Sequence, residues 1–154
     1  MIRTPNRMRL CAALILVNLV FIWGNSLLPA SISSRISRWV QDLIACFSPA
    51  SFPGGESGHG TLRKLAHFCE FCFLGMGLGW LAGMLRKKPW LPLVWGLSVA
   101  CIDETIQRFV PGRGPSIKDV AIDTAGAALG ITLLLCGHTL LNKRKQKFLE
   151  ENEL

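Results

Sequence analysis

Four long apolar blocks constrain this chain more than any other feature. A helix needs about 20 mostly apolar residues to cross the hydrocarbon core of a bilayer. Four segments come close to that length: residues 10–28, 65–85, 90–107 and 120–141. Because every backbone polar group must be satisfied inside lipid, helices are the economical structure for such segments. The sequence therefore predicts an all-α polytopic membrane protein, built as a bundle of four transmembrane helices.

The composition agrees with this interpretation and excludes several soluble classes. Half of the residues are hydrophobic, only 18% are charged and there is no Tyr, and the mean hydropathy is +0.37. A soluble domain usually has about 25% charged residues. Soluble secreted proteins, disordered tails and coiled coils are therefore poor fits. The length of 154 residues indicates one domain.

The first apolar block could also be a secretory signal peptide, because arginines precede it at positions 3, 7 and 9. Its apolar run exceeds the usual length of a signal-peptide core, however, and it ends without a small-x-small cleavage site. We therefore expect this segment to remain as the first span.

The distribution of charge predicts the orientation of the spans. Ten of the seventeen Lys and Arg residues fall in the N-tail (1–9), the loop between spans two and three, and the C-tail (142–154): Arg3, Arg7, Arg9, Arg86, Lys87, Lys88, Lys143, Arg144, Lys145 and Lys147. The positive-inside rule makes this side cytoplasmic, with both termini inside. The pI near 9.5 is then a topology signal, and no nucleic-acid partner is expected.

Two outer loops follow from this topology, residues 29–64 and 108–119. Residues 32–47 place apolar side chains on one helical stripe: Ile32, Ile36, Trp39, Val40, Leu43, Ile44 and Phe47. This pattern predicts an extracytoplasmic amphipathic helix, either on the membrane surface or capping the bundle. Residues 48–60 are rich in Ser, Pro and Gly and are typical of a flexible linker.

Ionisable and polar side chains in and beside the spans gather at one depth. They lie at the outer ends of spans two, three and four and in the short outer loop: Lys64, His67, Glu70, Asp103, Glu104, Gln107, Arg108, Arg113, Lys118, Asp119 and Asp123. Such residues are costly in a membrane and usually mark function. We predict that His67, Glu70, Glu104, Arg113 and Asp123 converge on one site.

Two interpretations of this cluster remain open. In the structural one, Arg113 and Lys64 neutralise the carboxylates and the network only holds the helices together. In the functional one, the cluster lines a polar pocket open to the outer leaflet, where a carboxylate beside His67 acts as general acid or base. Ser116 and Thr105 lie near the cluster, but the chain has no G-x-S-x-G nucleophile motif.

Glycines at helical spacing predict close packing of two spans. Gly75, Gly79 and Gly83 repeat every four residues in span two, and Gly126 and Gly130 do so in span four. Small residues at this spacing let helix backbones approach. Packing of these spans would bring Glu70 and His67 towards Asp123. A homodimer through either set of glycines is the alternative.

The cysteines give no support for a metal or redox site. Cys69 and Cys72 form a C-x-x-C beside His67, but no second pair of ligands accompanies them. Five of the six cysteines fall in spans, where they behave as small apolar residues. We expect no metal and no cofactor.

The motifs in this cluster resemble those of the VanZ-like family of small bacterial membrane proteins. The matching segments are KLAHFCEF (64–71), DETIQRFVPGR (103–113) and DVAIDTAG (119–126), and NSLLP (25–29) resembles the end of the family's first span. The resemblance covers roughly residues 15–135. It implies an envelope protein in the bacterial inner (cytoplasmic) membrane, because the family is named for one that confers low-level resistance to the glycopeptide teicoplanin.

The combined interpretation is an envelope protein whose outer pocket meets a lipid-linked or peptidoglycan-related anion. In an enzyme, acid–base chemistry would fall to His67, Glu70, Asp103 and Glu104. The ligand would be held by Lys64, Gln107, Arg113, Ser116, Asp119 and Asp123. A binding or transport protein that breaks no bond, and a structural partner of an envelope complex, are the alternatives. The bilayer is the one partner common to all three.

Overall fold

The computed structural model describes residues 4–47 and 56–152, and these ranges form five α-helices without a β-strand. The helices are α1 (Thr4–Ser26), α2 (Ala30–Phe47), α3 (Glu56–Met84), α4 (Leu91–Gln107) and α5 (Ile117–Asn152). The predicted all-α class is confirmed.

Three of the helices are long and apolar enough to cross a membrane: Pro5–Ser26, Gly60–Met84 and Ile117–Glu150. The predicted third span corresponds to α4, which has 17 residues and is therefore about 25 Å long. This length is at the lower limit for a membrane span. The crossing of the membrane by α4, and with it the four-span bundle, remains a prediction.

The helices extend beyond the apolar blocks that predicted them. Helix α1 begins at Thr4, inside the predicted N-tail, and α5 continues to Asn152, inside the predicted C-tail. The Lys, Arg and Glu residues of these tails are good helix formers, so loss of apolarity does not end a helix. Of the predicted linker, residues 48–55 lie outside the described residues, and residues 56–60 are already part of α3.

Helix α3 packs most extensively on α5, and glycines make the close approach of these helices feasible. A Cβ added to Gly126 would collide with the backbone of Phe68, and one added to Gly130 with that of Cys72. On α3, a Cβ at Gly75 would meet the backbone of Ala127, whereas Gly83 has open space around it. The predicted packing of these two spans is thus observed, although the glycine repeat of α3 takes part only in its first positions.

The bundle has a small core and a large apolar surface. Phe71, Ile22 and Leu74 are completely or almost completely buried between α1 and α3. Many large apolar side chains of α1 are instead more than half exposed, among them Val17 and Val20. A surface of this kind is suited to contact with lipid chains.

Helix α2 packs against α3 with its apolar stripe only partly covered. Its Ser37 is buried, whereas Ile36 and Trp39 remain 49% and 67% exposed. An amphipathic helix that exposes its apolar residues in this way suits a membrane surface better than a capping position.

The loop between α4 and α5 folds back over the C-terminal end of α1 and the first residue of α2. The Ala30 N–H donates a hydrogen bond to the Pro111 carbonyl (3.3 Å). Gly112 has φ +75°, a conformation that glycine adopts without steric cost. This turn brings Arg113 back towards the end of α1.

Candidate functional site

Polar and ionisable side chains, some buried and some half-buried, gather at one end of the bundle, where α1 and α4 end and the N-terminal halves of α3 and α5 meet them. We call this group the polar cluster: Arg63, Lys64, His67, Glu70, Asp103, Glu104, Gln107, Arg113, Asp119 and Asp123. The basic segments around residues 7–9, 86–88 and 143–147 belong to the opposite helix ends. The convergence predicted from equal depth in the sequence is therefore observed.

Three helices contribute one side chain each to the centre of the polar cluster. One ligand-type atom each of His67 (α3), Asp103 (α4) and Asp123 (α5) lies within 4.8 Å of the other two. All three residues are buried. The close packing of α3 on α5 brings His67 and Asp123 together, as Gly126 is less than one helical turn from Asp123.

Three buried carboxylates each have one oxygen in a hydrogen bond and one without. The Gln107 amide donates to Asp103 Oδ2 (2.8 Å), the Ser116 N–H to Glu104 Oε2 (2.7 Å) and the Asn25 amide to Glu70 Oε1 (2.8 Å). The second oxygen of each is buried and has no hydrogen-bond partner among the described residues. Because an unpaired buried polar atom is costly, each of these oxygens is suited to a further partner.

Further hydrogen bonds connect the helix ends around these carboxylates. The amide of Gln107 bridges Asp103 and the Ser26 hydroxyl (3.2 Å), which joins α4 to α1. The Ser116 hydroxyl accepts a hydrogen bond from the Asp119 N–H (3.3 Å) at the start of α5. Such side-chain caps satisfy the free donors of a first helical turn.

Ion pairing in the polar cluster is sparser than the structural interpretation predicts. Lys64 Nζ lies 3.2 Å from Asp119 Oδ1, a half-exposed pair. Within the described ranges no carboxylate lies within ion-pair distance of Arg113. Among the described residues, Arg113 therefore forms no direct ion pair with Asp103 or Glu104, the kind of contact that the structural interpretation favours. These carboxylates are instead held by amide and backbone donors, which fit between closely packed helices.

The Arg113 guanidinium is held at one nitrogen only. Its Nη2 donates to the Asn25 carbonyl (3.1 Å), whereas its Nε and Nη1 are buried without a hydrogen-bond partner in the described structure. Burial lowers the pKa of Arg113 from its ordinary value, and Arg63 acts in the same direction. An arginine nevertheless stays protonated in proteins, so Arg113 brings a positive charge and free donors into the site.

Two cavities adjoin His67. The larger, about 180 Å³, is lined by the polar side chains of Arg113, Arg63 and Glu70 and by apolar side chains of α2, of α3 and of the connection between α1 and α2: Leu28, Ile36, Val40, Leu62 and Ala66. The smaller, about 10 Å³, lies between Glu104, Asp119 and Asp123. It has room for about one water-sized group.

Not all residues singled out in the sequence reach the site. Thr105 is exposed and donates back to the Cys101 carbonyl in its own helix. Arg108 and Lys118 are exposed as well. Cys69 is exposed and Cys72 is half-buried, so neither is part of the centre formed by His67 and the carboxylates.

The sequence analysis missed the contribution of α1 and of Arg63. Asn25 and Ser26 bind cluster side chains, and the Asn18 amide donates to the Glu70 carbonyl (3.3 Å). The spacing of Asn18, Asn25 and Ser26 puts them on one helical face, which is the signal that could have revealed them. Arg63 lines both cavities, but it precedes Lys64, His67 and Glu70, the residues at intervals of three that the sequence analysis singled out.

Comparison with known proteins agrees with this architecture. Residues 8–141 match the sequence model of the VanZ/LLP1 family. Searches of curated proteins and of solved structures give no match. The matched segment contains all of α2, α3 and α4, most of α1 and α5, and the entire polar cluster. The chain therefore belongs to the VanZ/LLP1 family of membrane proteins.

Proposed function

We propose that this protein binds the anionic headgroup of a lipid-linked or peptidoglycan-related molecule in the larger cavity, at the outer leaflet. The observation that carries the proposal is the state of Arg113, whose Nε and Nη1 are buried without a partner beside that cavity. A guanidinium presents its N–H groups as a planar fork that matches carboxylate and phosphate oxygens.

The absence of direct ion pairing at Arg113 favours binding over a purely structural network. A buried charge without a partner is costly, and a cation used only to hold helices would be paired with one of the nearby carboxylates. Arg113 is instead kept in position by a neutral carbonyl, that of Asn25. This arrangement leaves its charge available to an incoming anion.

The mixed lining of the cavity supports an amphiphilic ligand. Arg113 lines it together with apolar side chains of α2 and α3, such as Val40 and Leu62. Helix α2 also exposes Ile36 and Trp39, which suits contact with the membrane next to the cavity entrance. A headgroup with an attached chain has this combination of charge and apolar surface.

The location at the outer leaflet rests on charge distribution. The polar cluster lies at the helix ends opposite the basic segments, and basic segments favour the cytoplasmic side. A molecule bound there would meet glycopeptide antibiotics outside the cell. Membership in the VanZ/LLP1 family supports a contribution to teicoplanin resistance as the physiological outcome.

Lipid retention tests the proposal. The protein is purified in mild detergent, and co-purifying anionic lipids are measured by native mass spectrometry for the wild type, Arg113→Gln and Arg108→Gln. Arg108 is an exposed arginine of the same loop and serves as the matched control. We expect Arg113→Gln to lose the bound anion and Arg108→Gln to keep it. Equal retention by both variants would refute the proposal.

Catalysis in the same pocket is the second candidate, and the contact between His67 and Glu70 favours it. His67 Nδ1 lies 3.7 Å from Glu70 Oε2 at the wall of the larger cavity. A histidine beside a carboxylate is a common acid–base arrangement. Lipid analysis of deletion and complemented cells separates the candidates: a covalently changed lipid indicates an enzyme, and altered exposure of an unchanged lipid indicates transport.

If this protein is instead a purely structural partner in an envelope complex, a different result is expected. Changes on exposed helix faces, for example at Val17 or Val20, would then abolish function, whereas Arg113→Gln would not. Growth with teicoplanin, compared among complemented deletion strains, distinguishes this class from a binding pocket.

A further inference from the structure

The geometry points to a divalent transition-metal site formed by His67, Asp103 and Asp123. The three side chains come from α3, α4 and α5, and one ligand-type atom of each lies within 4.8 Å of the others. The sequence analysis considered only the cysteines as metal ligands, and none of them belongs to this group.

The separations are close to those of a metal centre. Zinc binds histidine nitrogens and carboxylate oxygens at about 2.0–2.2 Å, so its ligand atoms lie about 3–4 Å from one another. The limit of 4.8 Å within which the ligand-type atoms of His67, Asp103 and Asp123 lie is about 1 Å above this range.

An unpaired buried oxygen marks the position for a cation. Asp103 is completely buried, its Oδ2 accepts a hydrogen bond from Gln107, and its Oδ1 has no hydrogen-bond partner in the described ranges. Leaving such an oxygen unsatisfied is costly. Gln107 thus orients the Asp103 carboxylate and leaves Oδ1 available to bind a metal. A hydrogen-bond donor such as Gln107 commonly lies behind a carboxylate that ligates a metal.

The imidazole of His67 also lies beside a carboxylate, although no hydrogen bond joins the two groups. Its Nδ1 faces Glu70 Oε2 at 3.7 Å, which leaves Nε2 as the nitrogen for the metal. A carboxylate behind a ligating histidine is the usual second partner in zinc sites and fixes the ring. Asn25 in turn holds the other oxygen of Glu70 at 2.8 Å.

The balance of charge also favours a divalent cation. Among the described residues of the polar cluster, the acids outnumber the Lys and Arg residues by two: Glu70, Asp103, Glu104, Asp119 and Asp123 against Arg63, Lys64 and Arg113. Buried charges require compensation. One divalent ion would supply it.

The ligand set selects the class of metal. One imidazole with two carboxylates is typical of Zn²⁺ and Mn²⁺, whereas Mg²⁺ and Ca²⁺ favour oxygen ligands alone. Three protein ligands leave a coordination position open. The cavity of about 10 Å³ that His67 and Asp123 line has room for one water-sized group next to these two ligands.

Metal titration of the purified full chain tests this site. The protein in detergent is stripped with a chelator, and Co²⁺ is added as a spectroscopic probe and Zn²⁺ in calorimetry. We expect one ion per chain, with visible Co²⁺ absorption typical of nitrogen and oxygen ligands. His67→Gln and Asp123→Asn should lower the affinity at least 100-fold, and Glu70→Gln about 10-fold, as for an outer partner.

Matched controls separate ligation from general damage. His138→Gln and Asp42→Asn change exposed residues of the same types and should bind the metal like the wild type. Far-UV circular dichroism and gel filtration check that each variant is folded. The inference is overturned if the wild type binds neither ion, if His67→Gln retains full binding, or if Co²⁺ gives the intense near-ultraviolet bands of thiolate ligation. If a ligand variant does not fold, metal binding by the wild type alone still decides whether the site exists.

Discussion

Replacement of Gly130 by Ala tests the packing of α3 on α5, which brings the polar cluster together. A Cβ at Gly130 would collide with the Cys72 carbonyl oxygen and lie 2.9 Å from the Met76 nitrogen. Both neighbours are backbone atoms, so relief requires the helices to separate. A gap of about 0.5–1 Å already removes a quarter to a half of each contact's attraction.

The size of the effect follows from a comparison within α5. A Cβ added to Gly137 would have no neighbouring atom within 4 Å, so Gly137→Ala has the same helix-propensity gain of up to about 1 kcal/mol without the collision. Overpacking of this kind costs about 1–3 kcal/mol. For a chain of this length, that corresponds to a difference of about 2–12 °C in Tm between the two variants.

Thermal unfolding in detergent, followed by tryptophan fluorescence, measures this difference. We expect Gly130→Ala to unfold at a clearly lower temperature than both the wild type and Gly137→Ala. Equal unfolding temperatures for the two variants would refute the close approach of α3 and α5. The position of His67 next to Asp123 would then lose its structural basis.

Further variants test the loop, the surface ion pair and the topology. Gly112→Ala places a side chain at φ +75° and should cost about 1–2 kcal/mol of unfolding free energy; unchanged denaturant unfolding would contradict the turn. Lys64→Gln breaks the half-exposed pair with Asp119 and should cost less than about 1 kcal/mol; a larger loss in the same assay would mean that the pair is central to the fold. In a cysteine-free background, an impermeant thiol reagent applied to intact cells should label a cysteine at Gly55 and not one at Lys87; the reverse pattern would invert the proposed topology.

The helices could be predicted from the sequence because the apolar blocks are long and contiguous. Each predicted segment overlaps one helix of the structure. The helix ends could not be predicted, since hydropathy reports contact with lipid and the helical backbone continues through polar residues, as it does from Glu56 into α3 and to Asn152 in α5. The limited length of α4 follows from the turns on either side of it.

The candidate site could be predicted only in part. The cost of charge in a membrane identified His67, Glu104 and Asp123, because such residues must meet one another to lower that cost. The partners of the carboxylates were missed, because the amide of Asn25 and the hydroxyl of Ser26 carry no charge. The lack of partners for Nε and Nη1 of Arg113 depends on the conformation of the loop around it. Residue type and spacing do not determine that conformation.

Photo-crosslinking with an anionic lipid analogue tests the central claim most directly, namely that the larger cavity holds an anionic amphiphile. The analogue carries its reactive group near the headgroup, and the crosslinked residues are mapped by mass spectrometry on the wild type and Arg113→Gln. We predict crosslinks to the cavity lining at Ile36, Val40 and Leu62, lost in Arg113→Gln. Crosslinks confined to the exposed face of α1 around Val17, and equal in both proteins, would contradict the account.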